Sequence, residues 1–396
     1  MSTQSPNYDS RELTDERTRE IAVERLKEHV ELDVEGTKAN TEMIFNILLH
    51  AASSEQSIEA SCTELEESAD SNTIREHLNE YFRVEKLEEL ESQFNSSLTM
   101  VIPRRVCRKK REIAIDLHDQ CYYGKDPELL KYTCGGKAKS GTTRFFRIAS
   151  IYLICDNMRL TLGVIFVLPD TDLVTIVANL LEDIKLKKIR VERLYLDRGF
   201  ANNAIYKYLI EQEYPAIILC PIKGIATGNG TRSLCKGQKS YFVNHTFNSQ
   251  NYGRCNVKLA MLHKLVLKED SEEAKQQWSA AVLIHTKPPL TKIFQFYRRR
   301  FGIESSYRTM RQLRVRTNSR NPMIRFIYMA IGFILVNVWV HLQFLFTQVP
   351  KRGRKGRSLD KSRFCLKLFA SFIRRSIERI YFVKTSIAAS VLPIGI

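Results

Sequence analysis

Residues 297–311 read YRRRFGIESSYRTMR, and their spacing decides how the rest of the chain is read. Tyr297, Arg300 and Glu304 follow the pattern Tyr-x2-Arg-x3-Glu. At about 100° per residue, one helix carries all three within a stripe about 60° wide, and Arg311 joins it two turns later. A single carboxylate among so many cations sets a metal-binding group beside phosphate-binding groups. An enzyme that cuts a nucleic-acid backbone needs that pairing.

Upstream of this helix the apolar pattern is that of strands. Ile113 and Ile115 alternate and lead to Asp116, which reads as a strand ending in an acid. Runs at 145–154 and 160–168 make a hairpin across Asp156-Asn157. Residues 173–186 read as an amphipathic helix, 191–196 (VERLYL) as a strand with Asp197 at its end, 201–213 as a helix and 216–220 (AIILC) as a strand. Three strands, then helix, strand, helix, strand, predict a mixed α/β sheet with helices on its faces. Residues 221–290 are rich in Gly, Ser and Thr and carry strand-like runs at 241–243, 257–267 and 280–285, which reads as a β-rich insertion closed by Pro288-Pro289.

Five segments follow from this reading. Residues 1–100 form a small all-α domain, 101–220 and 291–348 the two parts of the α/β domain, 221–290 the insertion, and 349–396 a basic tract (KRGRKGR at 351–357) with a last helix. The tract PRRVCRKKR at 103–111 is a basic linker. In the first segment, 41–52, 57–65 and 72–82 are helical, and helix, polar turn, helix fits a helix-turn-helix unit. There Asn72-Thr73 would cap the second helix, with Arg75 near its start. A structural or oligomerising bundle fits the same pattern.

Charge is unevenly spread. The chain has 396 residues and a net charge of +17, but residues 1–100 hold 9 basic and 23 acidic side chains, and the remainder 52 and 21. The long C-terminal part therefore carries a field for polyanions. Nine cysteines without a CxxC pair read as reduced thiols, and His118 with Cys121 lacks the second ligand pair of a zinc site. The first thirty residues are polar and show no signal peptide. The apolar run 326–346 is long enough to span a bilayer, but Asn337, His341 and Gln343 interrupt it. We read it as a buried helix packed on a sheet, with no membrane as partner.

Asp116 and Asp197 end strands and Glu304 sits on a helix, so the three converge if the strands are neighbours. Asp119 is a rival for the first acid, and Asp116 is preferred because it continues the strand. Glu182 and Glu192 read as surface charges. Carboxylates converging in this way suit hard divalent cations such as Mg²⁺.

The chain resembles the cut-and-paste DDE transposases of prokaryotic insertion sequences, which have an RNase H-like catalytic domain. The resemblance rests on EIAIDLHDQCYYGK around Asp116, LYLDRGF around Asp197 and YRRRFGIESSYRTMR around Glu304. The last matches the family's Tyr-x2-Arg-x3-Glu-x6-Lys signature, with Arg311 where Lys is usual. YYGK and GTTRFFRIASIY look most like archaeal members. The likeness covers roughly residues 105–345.

The resemblance implies that Asp116, Asp197 and Glu304 form the catalytic, metal-binding triad. It implies two Mg²⁺ ions per site, with Mn²⁺ substituting, and DNA-phosphate contacts from Tyr297, Arg300 and Arg311. Arg198, Arg299 and Arg308 are further candidates for DNA, and Arg298, Arg314, Arg316 and Arg320 for its backbone. Gly199 would allow a tight turn from strand to helix. The implied partners are the element's terminal inverted repeats and target DNA, bound by a homodimer in the synaptic complex, in the cytoplasm at the nucleoid. A non-catalytic DNA-binding descendant and a nuclease that cuts without joining are the other readings.

Overall fold

A computed structural model of the chain describes residues 12–100, 109–155, 158–268, 271–350 and 357–387. The linker at 103–108, the Asp156-Asn157 break and the tract at 351–356 lie outside these residues. The chain packs as two units, one drawn from 1–101 and 308–396, the other from 102–307.

In the first unit, α1 (Asp15–Lys27), α2 (Thr41–Ser53), α3 (Ile58–Glu64), α4 (Ser71–Tyr81) and α5 (Leu87–Met100) open the chain. Each of the first four begins at a side chain that accepts a backbone N–H: Thr14, Asn40, Ser57 and Asp70. The cap of α4 is thus Asp70, two residues before the Asn72-Thr73 cap expected from the sequence. A carboxylate in that place accepts from the Asn72 N–H at 2.8 Å and satisfies a donor the helix leaves open.

The second unit is built on a nine-stranded sheet. Its strands are β1 (Arg111–Cys121), β2 (Cys134–Lys139), β3 (Thr142–Cys155), β4 (Met158–Val167), β5 (Val191–Leu196), β6 (Ala216–Cys220), β7 (Tyr241–Ser249), β8 (Gly253–Lys268) and β9 (Ser271–Ile284). They run β2-β3-β1-β5-β6-β9-β8-β7, with β4 paired to β3. Only β1–β5 and β5–β6 are parallel. The short α6 (Pro127–Leu130) precedes β2. Helices α7 (Leu173–Leu186) and α8 (Asn203–Glu211) supply the parallel crossovers, and they pack on β4 and β8 respectively. The expected mixed α/β sheet with flanking helices is present.

Two expectations change here. The sequence suggested that the first strand ends at Asp116, but β1 continues to Cys121 because β3 pairs with it along its whole length. The β-rich insertion continues the same sheet, since β9 lies antiparallel to β6 from Ala216↔Ile284 to Cys220↔Ala280.

Helices α9 (Ile293–Arg298) and α10 (Gly302–Arg311) are joined by a 3-10 turn at Arg299–Phe301, so the single helix read from the sequence is two. Then follow α11 (Pro322–Phe346), the small β10 (Gln348–Pro350) and β11 (Arg357–Leu359) pair, and α12 (Leu366–Tyr381). Helix α11 is the one helix among the described residues long and apolar enough to cross a membrane, and 89% of its most apolar window is buried inside the protein. Helices α1, α2 and α5 pack on it, where the sequence reading had put a sheet. Its polar residues serve that packing: Asn337 donates to the Leu98 carbonyl, and Trp339 and Gln343 to that of Phe364, each at 2.9 Å. Bonds of this kind satisfy buried polar groups that would otherwise be costly.

Candidate active site

Strand alternation sorts the acids of β1. Glu112, Asp116 and His118 share one face of the sheet and Asp119 points to the other. Asp119 is held there by Arg147 through two hydrogen bonds of 2.7 and 3.0 Å. Asp116 faces the α9–α10 segment, where Arg300 Nη1 stands 3.8 Å from its Oδ2.

Asp197 follows β5, beside β1 in the sheet, and precedes the 3-10 turn Arg198–Phe200. Its side chain makes no capping bond, which leaves the carboxylate to accept from the Tyr297 hydroxyl at 3.2 Å. Gly199 has no left-handed φ, and a Cβ there would meet nothing within 4 Å, so the turn does not depend on glycine as expected.

The centre of the site is Arg300. Its Nη1 stands 3.8 Å from Asp116 Oδ2, and its Nη2 stands 3.7 Å from Asp197 Oδ1 and 3.6 Å from Glu304 Oε1. One arginine side chain, 6% exposed, thus gathers all three acids of the predicted triad. The acids open progressively to solvent, with side-chain exposures of 20% for Asp116, 42% for Asp197 and 54% for Glu304. Burial pushes the Asp116 carboxyl up to about 6; Arg300 opposes this, and the like charges of Asp197 and Glu304 add to it.

Tyr297 and Arg300 were expected at DNA phosphates, and in the structure both turn onto the acids. Tyr297 is 2% exposed, and its ring meets Tyr195 edge-on, so no base can stack on it. Burial, with Asp197 beside it, holds its phenol above the usual range against the pull of Arg300. Arg299 is engaged as well, paired with buried Glu112. Glu112 also accepts from Arg193 at 2.6 Å and from Tyr195 at 2.7 Å. Arg198 is exposed, as are Arg308 and Arg311 in the last turn of α10. In the first unit Thr73 is half-buried, and Arg75 folds back onto Ser71 and Asn72 of its own helix.

Sequence reasoning missed the residues that hold this site. Glu112 ties the α9–α10 turn to β1 through Arg299. Tyr152 donates to the carbonyls of Arg299 and Arg300. Tyr307 is 2.7 Å from Ser150 and stacks on His118 with ring centres 4.6 Å apart. Alternation along β1 would have put Glu112 on the face of Asp116; nothing local marked the tyrosines.

Three carboxylates are the right donors for a hard divalent cation. Among the described residues, however, no group of three or more His, Cys, Asp or Glu side chains stands clustered around a common point for an ion. Arg300 lies amid the acids instead. The donor set fits the ion in kind, with Asp116, Asp197 and Glu304 as the residues that would hold it.

The family model described as "Transposase DDE domain" matches residues 125–338. The chain belongs to the DDE transposase family. The match includes Asp197 and Glu304 and begins beyond Asp116. No curated protein matches the chain. Among solved structures it is similar to the piggyBac transposase in a synaptic complex with hairpin DNA, with a TM-score of 0.56 and 11% identity, over 96% of this chain and 83% of that one. At that identity the likeness is one of fold. In this DDE transposase-family chain, the three acids meet within the unit built from residues 102–307.

Proposed function

We propose that this chain is an active DNA transposase of a prokaryotic insertion sequence, which cleaves the ends of its own element and joins their 3′-hydroxyls to target DNA. The observation that carries this reading is the convergence of Asp116, Asp197 and Glu304 on one guanidinium. Divalent ions bound to those carboxylates, two Mg²⁺ or Mn²⁺, would supply activation of the attacking oxygen and stabilisation of the leaving one. The chain's own residues supply placement. Strands β1 and β5 fix the two aspartates side by side, Tyr297 orients Asp197, and α10 presents Glu304 from its first turn. Arg198, exposed next to Asp197, is placed to take a phosphate of the strand being cut.

The partners in this reading are double-stranded terminal inverted repeats and target DNA. A homodimer holds two ends together in the cytoplasm, at the nucleoid. Thr73 and Arg75 on α4 and Arg308 and Arg311 on α10 are further DNA contacts. The test is cleavage of labelled duplex DNA from the flanks of the gene with Mg²⁺ or Mn²⁺, beside the Glu304→Ala protein. Metal-dependent 3′-hydroxyl ends from the unaltered protein alone, which then attack a second duplex, support the transposase. Cutting without joining leaves a nuclease, and binding without cutting by both proteins leaves a DNA-binding protein.

A further inference from the structure

Arg300 is shared among the three acids. Charge-assisted hydrogen bonds between guanidinium and carboxylate run at about 2.7–2.9 Å. All three contacts of Arg300 are longer, from 3.6 to 3.8 Å, and nearly equal. The group is also held in place. The Arg300 carbonyl accepts from Tyr152 at 2.8 Å, and the Tyr297 ring centre lies 5.3 Å from the guanidinium carbon. A buried cation standing between three carboxylates is a counter-charge for the set. It stands where the same oxygens would have to turn inward to share a divalent ion.

Resting on the transposase reading, we propose that Arg300 is the resident counter-cation of the acid triad: it competes with divalent ions for those carboxylates and yields them when a DNA phosphate draws its guanidinium away. Two cations in one such site repel strongly. A phosphate offers the guanidinium a bidentate partner as good as the acids it leaves. Metal binding and DNA binding are then linked, each strengthening the other by the same factor.

The experiment is Mn²⁺ binding by the full chain, read by electron paramagnetic resonance, with and without a mixed-sequence duplex and against a blank of duplex alone. Arg300→Met keeps the length of the side chain and removes its charge. It is expected to bind Mn²⁺ at least about tenfold more tightly than the unaltered protein, within the usual span of coupling between sites. Arg300→Lys is expected to bind close to the unaltered value. Duplex DNA should tighten Mn²⁺ binding to the unaltered protein and leave Arg300→Met unchanged.

No gain in Arg300→Met overturns the proposal, as does equal tightening of both proteins by DNA. If Arg300→Met does not fold, the unaltered protein decides: Mn²⁺ affinity unmoved by saturating duplex overturns the proposal. Glu304→Ala separates the two claims. If it keeps all its Mn²⁺, the ions bind elsewhere, and the metal reading falls together with the proposal. If it loses Mn²⁺ while Arg300→Met gains none, the metal reading stands and only the counter-cation role falls.

Discussion

The Tyr152 hydroxyl donates to the carbonyl oxygen of Arg300 at 2.8 Å. It reaches the Arg299 carbonyl as well, at 3.0 Å, so one side chain of β3 serves both carbonyls where α9 gives way to α10. A 3-10 turn bonds its backbone less well than an α-helix, and its carbonyls gain from an outside donor. Tyr152→Phe keeps the ring and removes that donor. We expect a loss of about 1–2 kcal/mol, as for a buried hydrogen bond, read from urea midpoints at constant slope. An unchanged midpoint would show that the turn holds itself.

Asp116 is expected to cost stability in exchange for chemistry. Its folded carboxyl is raised by burial to about 6 from 3.8. Below about pH 4 both folded and unfolded chains carry the proton, and the group is neutral to stability. Between pH 4 and 6 the folded chain binds more proton, so stability falls as pH rises. Above 6 the whole cost is present, about 3 kcal/mol at 1.36 kcal/mol per unit. Asp116→Asn should therefore stabilise the metal-free protein at pH 7, leave it unchanged near pH 4 and, in the transposase reading, abolish cleavage. Destabilisation at pH 7 would mean that the pull of Arg300 outweighs burial.

His50 works in the opposite sense. It is fully enclosed in α2, with Nδ1 3.1 Å from Ser61 Oγ. Glu378 Oε1 stands 3.9 Å from its Nε2, too far for a hydrogen bond. Burial holds the imidazole down to about 4 from 6.5, with Glu64 pulling it up and Arg374 adding to the fall. Between those values the unfolded chain takes a proton that the folded chain refuses. Stability should then drop by up to about 3 kcal/mol as pH falls from 6.5 to 4. His50→Gln removes the titration, and its stability curve should be flatter by that amount. Parallel curves for the two proteins would mean that His50 charges in place.

What could be read in the sequence was local. The helix at 173–186 and the strands at 191–196 and 216–220 were each visible as one uninterrupted pattern and match their observed bounds. Asp116 and Asp197 were read from the ends of strands and Glu304 from its motif spacing, and the three side chains stand around one guanidinium. Pairing was not legible. That β9 docks on β6 depends on contacts sixty residues and more apart, which no periodicity records. For the same reason Tyr152 and Glu112 looked like ordinary strand residues, although both hold the α9–α10 turn. Charge and spacing marked Tyr297 and Arg300 as DNA contacts but could not show that, in the chain alone, both stand against the acids. Burial turns them inward, and burial is a property of the packed chain.

Arg314 distinguishes cations that are already paired from those that await an anion. Between Glu304 and Asp360 the sequence contains no acid. Arg314 is half-buried and has no hydrogen bond or ion pair among the described residues. Burial, then the like charges of Arg311 and Arg325, hold its guanidinium below the usual range. A phosphate would relieve both effects. In the transposase reading, Arg314→Ala should weaken duplex binding at low salt and lower the slope of log affinity against log salt by about one. Arg299 carries the same charge but already holds Glu112. Arg299→Ala should leave the slope unchanged and lower the unfolding midpoint instead. Equal falls in slope for the two variants would mean that Arg299 leaves Glu112 for DNA, and the site would then loosen on binding.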